Sequence, residues 1–347
     1  MSRRSLPQPS PTQPSPTRRR RTAAVAVTTA VVLAVTGCSR GESRDAAAAA
    51  EPFAEPVTIT NCDRETTYDT PPQRIVSMND HVTETLIQMG AGDRIVGMGY
   101  GESTDVLPEV ADRFHAIPSL AEEYPTAEQI RDLEPDLVVG GMRSAFDEKE
   151  GRSRDALDAA GIPTFLFSEY CGEGFSDIAL LENDFAQLGR ILAVEEGAEQ
   201  LTERITDGLD AVRGKLDAAG VADVPTFFYD GGEAEPVTIG GVGIGHLIGR
   251  YAGAANVFPE GDRPYLATSW EVIGERAPEA VVVLDYGETS AEDKIRHLEA
   301  QPIMATTPAI REGRIVTVPL ADFFESSRMV TSVETIAAAL HPDAVED

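Results

Sequence analysis

Two stretches of this chain share one pattern: TAEQI at residues 126–130 with Pro135 and LVV at 137–139, and SWEVI at residues 269–273 with Pro278 and AVV at 280–282. In both, glutamate and proline are seven residues apart. The pattern is typical of a hydroxyl N-cap, a first-turn glutamate, a short helix that proline ends and a buried strand. Such units also recur in α/β proteins without duplication. Two related copies predict an α/β fold of two Rossmann-like lobes with parallel sheets and a ligand cleft between them.

The first 37 residues have the composition of a signal peptide. They contain six arginines and no acidic residue, and an apolar run precedes VTGC at residues 35–38. That run is shorter than the about 20 apolar residues that cross a bilayer, so a signal peptide over 1–37 is favoured over a retained membrane anchor. VTGC resembles the lipobox of bacterial lipoproteins, which predicts lipidation of Cys38. Residues 38–56, counted from that cysteine, are predicted to form a flexible tether.

The chain is strongly acidic. Its formal net charge is −29, and removal of residues 1–37 lowers Lys+Arg from 29 to 23 against 58 Asp+Glu, which gives about −35. This charge disfavours nucleic acid as a partner. It favours a cationic ligand, although an acidic surface also serves solubility alone.

Two cysteines remain besides Cys38, namely Cys62 and Cys171. A signal peptide places both outside the reducing cytosol, and we predict a disulfide between them. Two separate thiols are the alternative. A metal site is a weaker interpretation, because no second cysteine or histidine lies at ligand spacing from either one.

The apolar periodicity divides the mature chain into three parts. Short strands alternating with helices predict an N-terminal lobe over residues 57–175 and a C-terminal lobe over 221–347, each with a parallel sheet. Between them, apolar residues at helical spacing, with a break near Glu195, predict a connecting helical segment over 176–220. Because a helix resists bending, the lobes are expected to close little on ligand binding.

Five longer stretches carry a resemblance to a known family. They are PPQRIVSMN (71–79), TETLIQMGAGDRIVGMG (83–99), PTAEQIRDLEPDLVVGG (125–141), SWEVIGERAPEAVVVLD (269–285) and REGRIVTVP (311–319). Together they resemble the helical-backbone, or class III, substrate-binding lipoproteins of ABC importers, the group that captures ferric siderophores, haem or cobalamin. The resemblance covers about residues 57–342.

The resemblance implies a monomeric, non-enzymatic binder without a cofactor, anchored through Cys38 to the outer face of the cell membrane. Such a protein captures a ferric siderophore complex and delivers it to a permease dimer in the membrane. The alternatives are a corrinoid, haem, another cofactor-like molecule or a bare zinc or manganese ion. The resemblance also implies that one surface glutamate per lobe docks onto the permease, and Glu128 and Glu271 match those positions. The helix dipole alone also favours acids in a first turn.

An enzymatic role is the weaker interpretation. GGVGIG at 240–245 follows a predicted strand, but residue 246 is histidine where a dinucleotide loop would have its third glycine. Neither a Gly-x-Ser-x-Gly elbow nor a His-Glu-x-x-His motif occurs. These glycines are interpreted as a turn beside the cleft.

Ligand contacts are predicted just after the strands, because the crevice of an open parallel sheet lies outside the carboxyl ends of its strands. The selected residues are Asn79, His81, Tyr100, Arg143, Tyr170, Tyr286 and Arg328, and Trp270, the only tryptophan, is added at the start of a predicted helix. The two arginines suit an anionic complex, and such local contacts are expected to outweigh the screened net charge, which suits a cationic one. His81 and His246 are candidates to face each other across the cleft, but the five histidines lack paired spacing, so bare metal is less favoured.

Overall fold

The computed structural model describes residues 50–172 and 177–345. The predicted signal peptide over 1–37, the predicted lipidation site Cys38 and most of the tether lie outside these ranges. Within them, no helix combines the length and the apolar character that a membrane crossing requires.

The N-terminal lobe contains a hairpin and a four-stranded parallel sheet. Its strands are β1 Val57–Asn61, β2 Arg64–Tyr68, β3 Ile75–Ser77, β4 Ile95–Met98, β5 Leu137–Gly140 and β6 Thr164–Leu166. Strands β1 and β2 pair antiparallel, and the sheet has the order β4-β3-β5-β6. The helices are α1 Asp80–Gln88, α2 Ala111–Ala116, α3 Ala127–Asp132 and α4 Arg154–Ala159. The parallel sheet predicted for this lobe, with short strands alternating with helices, is confirmed.

Two helices lead from this lobe to the next. They are α5 Ala179–Leu192 and α6 Glu195–Ala219. Helix α5 ends at Ala193, whose left-handed φ of 51° stops the helical hydrogen-bonding pattern. The predicted break near Glu195 therefore lies two residues earlier.

The C-terminal lobe contains a second four-stranded parallel sheet. The strands are β7 Val224–Tyr229, β8 Val237–Ile239, β9 Ala254–Asn256, β10 Tyr265–Ala267, β11 Ala280–Asp285 and β12 Ile315–Pro319. The sheet has the order β12-β11-β7-β9, and β8 pairs antiparallel with β10. The helices are α7 Ile244–Tyr251, α8 Trp270–Arg276, α9 Ala291–Ala300, α10 Pro308–Arg311, α11 Met329–Leu340 and α12 Pro342–Val345. Strands β9 and β10 were not predicted.

The two sheets have the same topology. When the strands of each sheet are counted in chain order, both have the order 2-1-3-4. The two sequence copies fall at equivalent places, since α3 precedes the third strand of the first sheet and α8 precedes the third strand of the second. The common order supports the relation between the lobes that the sequence pattern left open.

One hydrophobic core runs through both lobes and the connecting helices. Alternate strand residues face it, such as Val139 of β5 and Val282 of β11, and α6 contributes Leu201 and Leu209. The opposite faces of the two sheets have separate cores. Helix α6 contacts α1 in the first lobe and α7 and α11 in the second. The lobes are therefore fixed to a common helical layer, which agrees with small closure.

A disulfide joins Cys62 and Cys171, as predicted. Cys62 lies in the turn of the β1–β2 hairpin, and Cys171 follows β6, 109 positions later. The bond fixes the hairpin to the end of the first sheet. In the chain-entropy description, closing a loop of about 100 residues stabilises the fold by up to about 4.7 kcal/mol.

Candidate ligand-binding cleft

A cleft of about 490 Å³ opens at the carboxyl ends of strands from both sheets. The first lobe contributes Asn79, Asp80, His81, Tyr100, Asp105, Glu123 and Met142; the second contributes Asp285, Tyr286, Gly287, Pro319, Leu320, Ala321 and Phe324. Open parallel sheets bind ligands at this edge, and the volume is that of a small-molecule site.

The cleft is acidic. Its carboxylates come from Asp80, Asp105, Glu123 and Asp285, and none of its lining residues in the described part of the chain is lysine or arginine. Burial opposes ionisation of Asp80, but the side chain and backbone N–H of His81 outweigh it and lower the pKa of the carboxyl. The cleft therefore presents negative charge to a ligand, whereas arginines were expected from the sequence.

Arg328 is buried and forms ion pairs within the protein. Only 4% of the residue is exposed, and its guanidinium lies 3.4 Å from Glu84, 2.8 Å from Asp105 and 2.7 Å from Asp322. Glu84 and Asp105 belong to the first lobe, so Arg328 links the lobes beside the cleft. Ligand contact by Arg328 stays a prediction that this geometry does not favour.

Arg143 and Tyr170 contact each other outside the cleft lining. Arg143 is exposed in a 3-10 turn after β5, and its Nη2 donates a hydrogen bond of 3.0 Å to the carbonyl of Tyr170. Burial raises the pKa of the Tyr170 hydroxyl well above its usual value. The structure thus brings two predicted residues together, and neither is among the residues that line the cleft.

Trp270 lies in the outer core of the second lobe. It is 7% exposed, its Nε1 donates to the carbonyl of Glu233 at 2.9 Å, and its ring centroid lies 5.8 Å from Tyr229 and 5.6 Å from His297. As the first residue of α8, Trp270 faces the sheet and not the cleft. Its predicted ligand contact remains untested.

His81 and Phe324 stack at the cleft from opposite lobes. Their ring centroids are 4.4 Å apart and the planes differ by 19°. His81 is 2% exposed; its Nδ1 lies 3.5 Å from the carboxylate of Asp80, and its Nε2 has no hydrogen-bond partner among the described residues. The ring also packs against Gly141, where an added Cβ would lie 2.0 Å from Nε2, so a larger residue at this position would displace the His81 ring.

Asn79 and Tyr100 occupy the cleft edge of the first sheet. The Asn79 amide donates to the hydroxyl of Tyr124 at 3.2 Å and accepts from the backbone N–H of Gly141 at 3.0 Å, which ties the ends of β3 and β5 together. Tyr100, with a left-handed φ of 54°, meets the ring of Tyr124 edge-on at 5.1 Å. Both predicted residues therefore line the cleft within a rigid polar and aromatic frame.

Tyr286 is the aromatic side chain that the second lobe exposes most clearly to the cleft. At 40% it is the one exposed large hydrophobic residue in the described ranges. The Nζ of Lys294 lies 4.0 Å from its ring centroid and donates to the carbonyls of Asp230 and Leu284 at 2.8 and 2.6 Å. Burial and the neighbouring carboxylate of Asp230 raise the pKa of the Tyr286 hydroxyl. The ring is thus held in place before a ligand arrives.

Several lining residues were not selected from the sequence as ligand contacts. Asp285 and Pro319 end β11 and β12, so the strand-end rule used for the other residues could have found them. Asp105 and Glu123 lie in connecting segments that carry no strand or helix signal. Their position depends on tertiary contacts.

The histidines do not pair across the cleft. His246 is absent from the cleft lining, and burial lowers the pKa of its ring. Among residues 50–172 and 177–345, no three or more His, Cys, Asp or Glu side chains are grouped so as to hold a metal ion.

Glu128 and Glu271 lie at equivalent positions on the two lobes. Each is exposed in the first turn of its helix, after the side chains of Thr126 and Ser269 cap α3 and α8. Neither carboxylate forms a hydrogen bond or ion pair with another described residue. Both are therefore available to an external partner.

The chain belongs to the periplasmic binding protein family, which it matches over residues 75–320. It is 22% identical to an ABC transporter substrate-binding lipoprotein, YvrC, of Bacillus subtilis, over 92% of this chain and 96% of that protein. It is 25% identical to a vitamin B12-binding protein of Vibrio campbellii, over 61% of this chain and 70% of that protein. The structure of an ABC-type Fe3+-hydroxamate transport protein from Saccharomonospora viridis superposes with a TM-score of 0.69 at 22% identity, covering 82% of this chain and 99% of that one. The resemblance to class III substrate-binding proteins of ABC importers is confirmed.

Proposed function

We propose that this substrate-binding protein captures a neutral or cationic ferric siderophore complex, of which ferric trihydroxamates are the best match. The acidic cleft carries the proposal: four carboxylates line it, Arg328 pairs with one of them, Asp105, and no described lining residue is lysine or arginine. In a trihydroxamate the three ligand charges balance those of Fe3+, and a pendant ammonium makes the complex cationic. Carboxylates attract such a complex at the short distances of a cleft.

The same charges disfavour anionic ligands. A ferric tricatecholate is strongly anionic, and haem carries two propionates. Either would place negative charge beside Asp80 and Asp285 without a lysine or arginine in the described lining to compensate it. Bare zinc or manganese is also disfavoured, because the described residues contain no grouped metal ligands.

A corrinoid is the second candidate. Its support is the vitamin B12-binding relative, together with a cleft that offers Tyr286 and Phe324 as flat apolar contacts and carboxylates as acceptors for peripheral amides. Cyanocobalamin is neutral overall, because Co3+ balances the charges of its corrin ring, cyanide and phosphodiester, so the acidic lining tolerates it.

The delivery step is proposed to use Glu128 and Glu271. Both are exposed and have no ion-pair or hydrogen-bond partner within residues 50–172 and 177–345, and they lie at equivalent positions in two lobes of common strand order. Two arginine-bearing subunits of a permease dimer would each receive one carboxylate. The protein would act as a monomer without catalytic activity or a resident cofactor, because the iron complex is its cargo. Lipidation of Cys38 would anchor it to the outer face of the cell membrane.

Isothermal titration calorimetry on the mature chain tests the ligand proposal. The panel is ferrioxamine B, cyanocobalamin, haem and a ferric tricatecholate, each at low and high salt. Ferrioxamine B is expected to bind, with an affinity that falls as salt screens the cleft carboxylates. Asp285→Asn should weaken that binding, whereas Glu312→Gln, at an exposed site outside the cleft lining, should not. Preference for the tricatecholate or haem would overturn the charge argument, and cyanocobalamin alone would select the corrinoid.

A further inference from the structure

Asp105 reaches the cleft on a segment that has no regular secondary structure. Residues 101–110, here called the cleft loop, contain only turns and irregular backbone. The backbone hydrogen bonds that the loop makes near its ends are local, from Ser103 to Tyr100 and from Val110 to Leu107. Something beyond the loop must therefore fix the position of its middle.

Val106 and Leu107 pack against the common core, and polar contacts from outside the loop hold Asp105. The Nη2 of Arg328 lies 2.8 Å from the carboxylate of Asp105, and its Nη1 lies 3.4 Å from the carbonyl of the same residue. Glu84 accepts a hydrogen bond of 2.8 Å from the backbone N–H of Leu107 and pairs with Arg328 at 3.4 Å. The loop is thus attached through both a side chain and its backbone.

Arg328 is itself held rigidly by its own lobe. Its Nε donates to Asp322 at 2.7 Å, and the carbonyl of Asp322 accepts from Ser332 at 2.6 Å. A planar guanidinium held at one edge presents its other donors in a fixed direction, which a lysine could not do. The Asp105 side chain, by contrast, is 59% exposed, so it remains accessible from the cleft while Arg328 holds one of its oxygens.

We infer that Arg328 is a positioning residue that acts on the ligand through Asp105: the second lobe sets the conformation of the cleft loop of the first and thereby the placement of a cleft carboxylate. The inference rests on the proposed function for its ligand. It explains why an arginine that is almost fully buried lies beside the cleft without lining it.

Hydrogen exchange without ligand is the first test. Arg328→Lys keeps the positive charge but removes the planar guanidinium with its several donors. Asp105→Asn weakens the same ion pair by removing the charge of the carboxylate. Both should speed exchange of the cleft loop, including the Leu107 amide, and leave the strands of the first sheet protected. The matched control is Arg314→Lys, whose surface guanidinium lies 4.0 Å from Glu279. Unchanged exchange in the loop of both test variants would overturn the inference, whatever ligand the protein binds.

A double-mutant cycle with ferrioxamine B is the second test. Arg328→Lys and Asp105→Asn should each weaken binding roughly tenfold, and the double variant should bind no more weakly than Asp105→Asn alone. Additive losses would show that Arg328 acts independently of Asp105 and would contradict the inference. If ferrioxamine B does not bind the unaltered chain, the proposed ligand is wrong, and the exchange measurement alone decides the role of Arg328.

Discussion

The imidazole of His81 stacks on the ring of Phe324 with the centroids 4.4 Å apart, although the two residues belong to different lobes. This part of the cleft therefore requires both lobes. Both residues are nearly buried, so the contact contributes to the lobe interface as well as to the cleft surface.

Replacing Phe324 should therefore affect both stability and binding. Phe324→Leu is expected to lower the free energy of unfolding by about 1 kcal/mol through loss of the stacked pair, and to weaken ligand binding. Urea denaturation and calorimetry measure the two effects. Phe258→Leu is the control, because Phe258 lies in the outer core of the second lobe and should lower stability without changing affinity. Equal affinity losses in both variants would argue against a role for the stack in the cleft.

Replacing Tyr286, unlike replacing Phe324, should affect ligand binding much more than stability. Because Tyr286 lies at the surface, with 40% of the residue exposed, Tyr286→Ala is expected to change the free energy of unfolding by less than about 1 kcal/mol, but to weaken ligand binding clearly. Tyr286→Phe keeps the ring over Lys294 and should retain most of the affinity. If the phenylalanine variant loses as much affinity as the alanine variant, the hydroxyl and not the ring makes the contact.

These residues show what the sequence could and could not provide. The strand-end rule found Asn79, His81, Tyr100 and Tyr286, because the end of a parallel strand is legible in a run of β-branched residues. The sequence could not show that Trp270 packs into a core of the second lobe or that three carboxylates pair with Arg328, since side-chain direction and ion pairing depend on packing between distant elements. The strands β9 and β10 could not be predicted either, because three residues, AAN or YLA, are too few to show a periodicity.

A buried group of carboxyls should make stability depend on pH. Glu169, Asp184 and Glu325 are all buried where the first lobe, α5 and the second lobe meet. Burial raises the pKa of Glu169 to about 7 and that of Glu325 well above its usual value, and the carboxyls of Asp184 and Glu169 raise the latter further. Burial raises the pKa of Asp184 too, against hydrogen bonds from Ser168.

Proton linkage gives the direction in which the free energy of unfolding changes with pH. A carboxyl with a raised pKa binds its proton more tightly in the folded protein, so its contribution to stability is complete below about pH 4 and is lost as pH rises through about 7. We expect the free energy of unfolding to be at least about 1 kcal/mol lower at pH 8 than at pH 6. Glu325→Gln should flatten this dependence, whereas Glu312→Gln at the exposed surface should not. A stability that rises between these pH values would contradict the prediction.

The docking glutamates should affect uptake alone. Glu128→Ala and Glu271→Ala are expected to leave ligand affinity unchanged and to alter stability by at most about 1 kcal/mol, the size of a helix-dipole contribution. Uptake by cells with the matching importer should fall in each variant and most in the double variant. Glu292, an exposed first-turn glutamate of α9, provides the matched control. Normal uptake in the double variant would leave both residues as ordinary helix-start acids.

Ligand binding should change the shape of the protein very little. The common core and the contacts of α6 with both lobes oppose hinge closure, because separation or rotation of the lobes would expose buried apolar surface. Small-angle scattering with and without ligand should give nearly equal radii of gyration. A clear compaction would show that the helical layer bends or that the lobes slide on it.

The disulfide also bears on the order in which an exported chain would fold. In a chain exported from its N-terminus, both Cys62 and Cys171 emerge before α5, α6 and the whole second lobe. Oxidation at that moment would secure the hairpin and the first sheet covalently, while the inner face of that sheet still lacks the helices that cover it. The bond would therefore stabilise the partly folded first lobe. It would limit unfolding of that lobe, and pairing of its exposed strands with a neighbouring chain, until the second lobe has been exported.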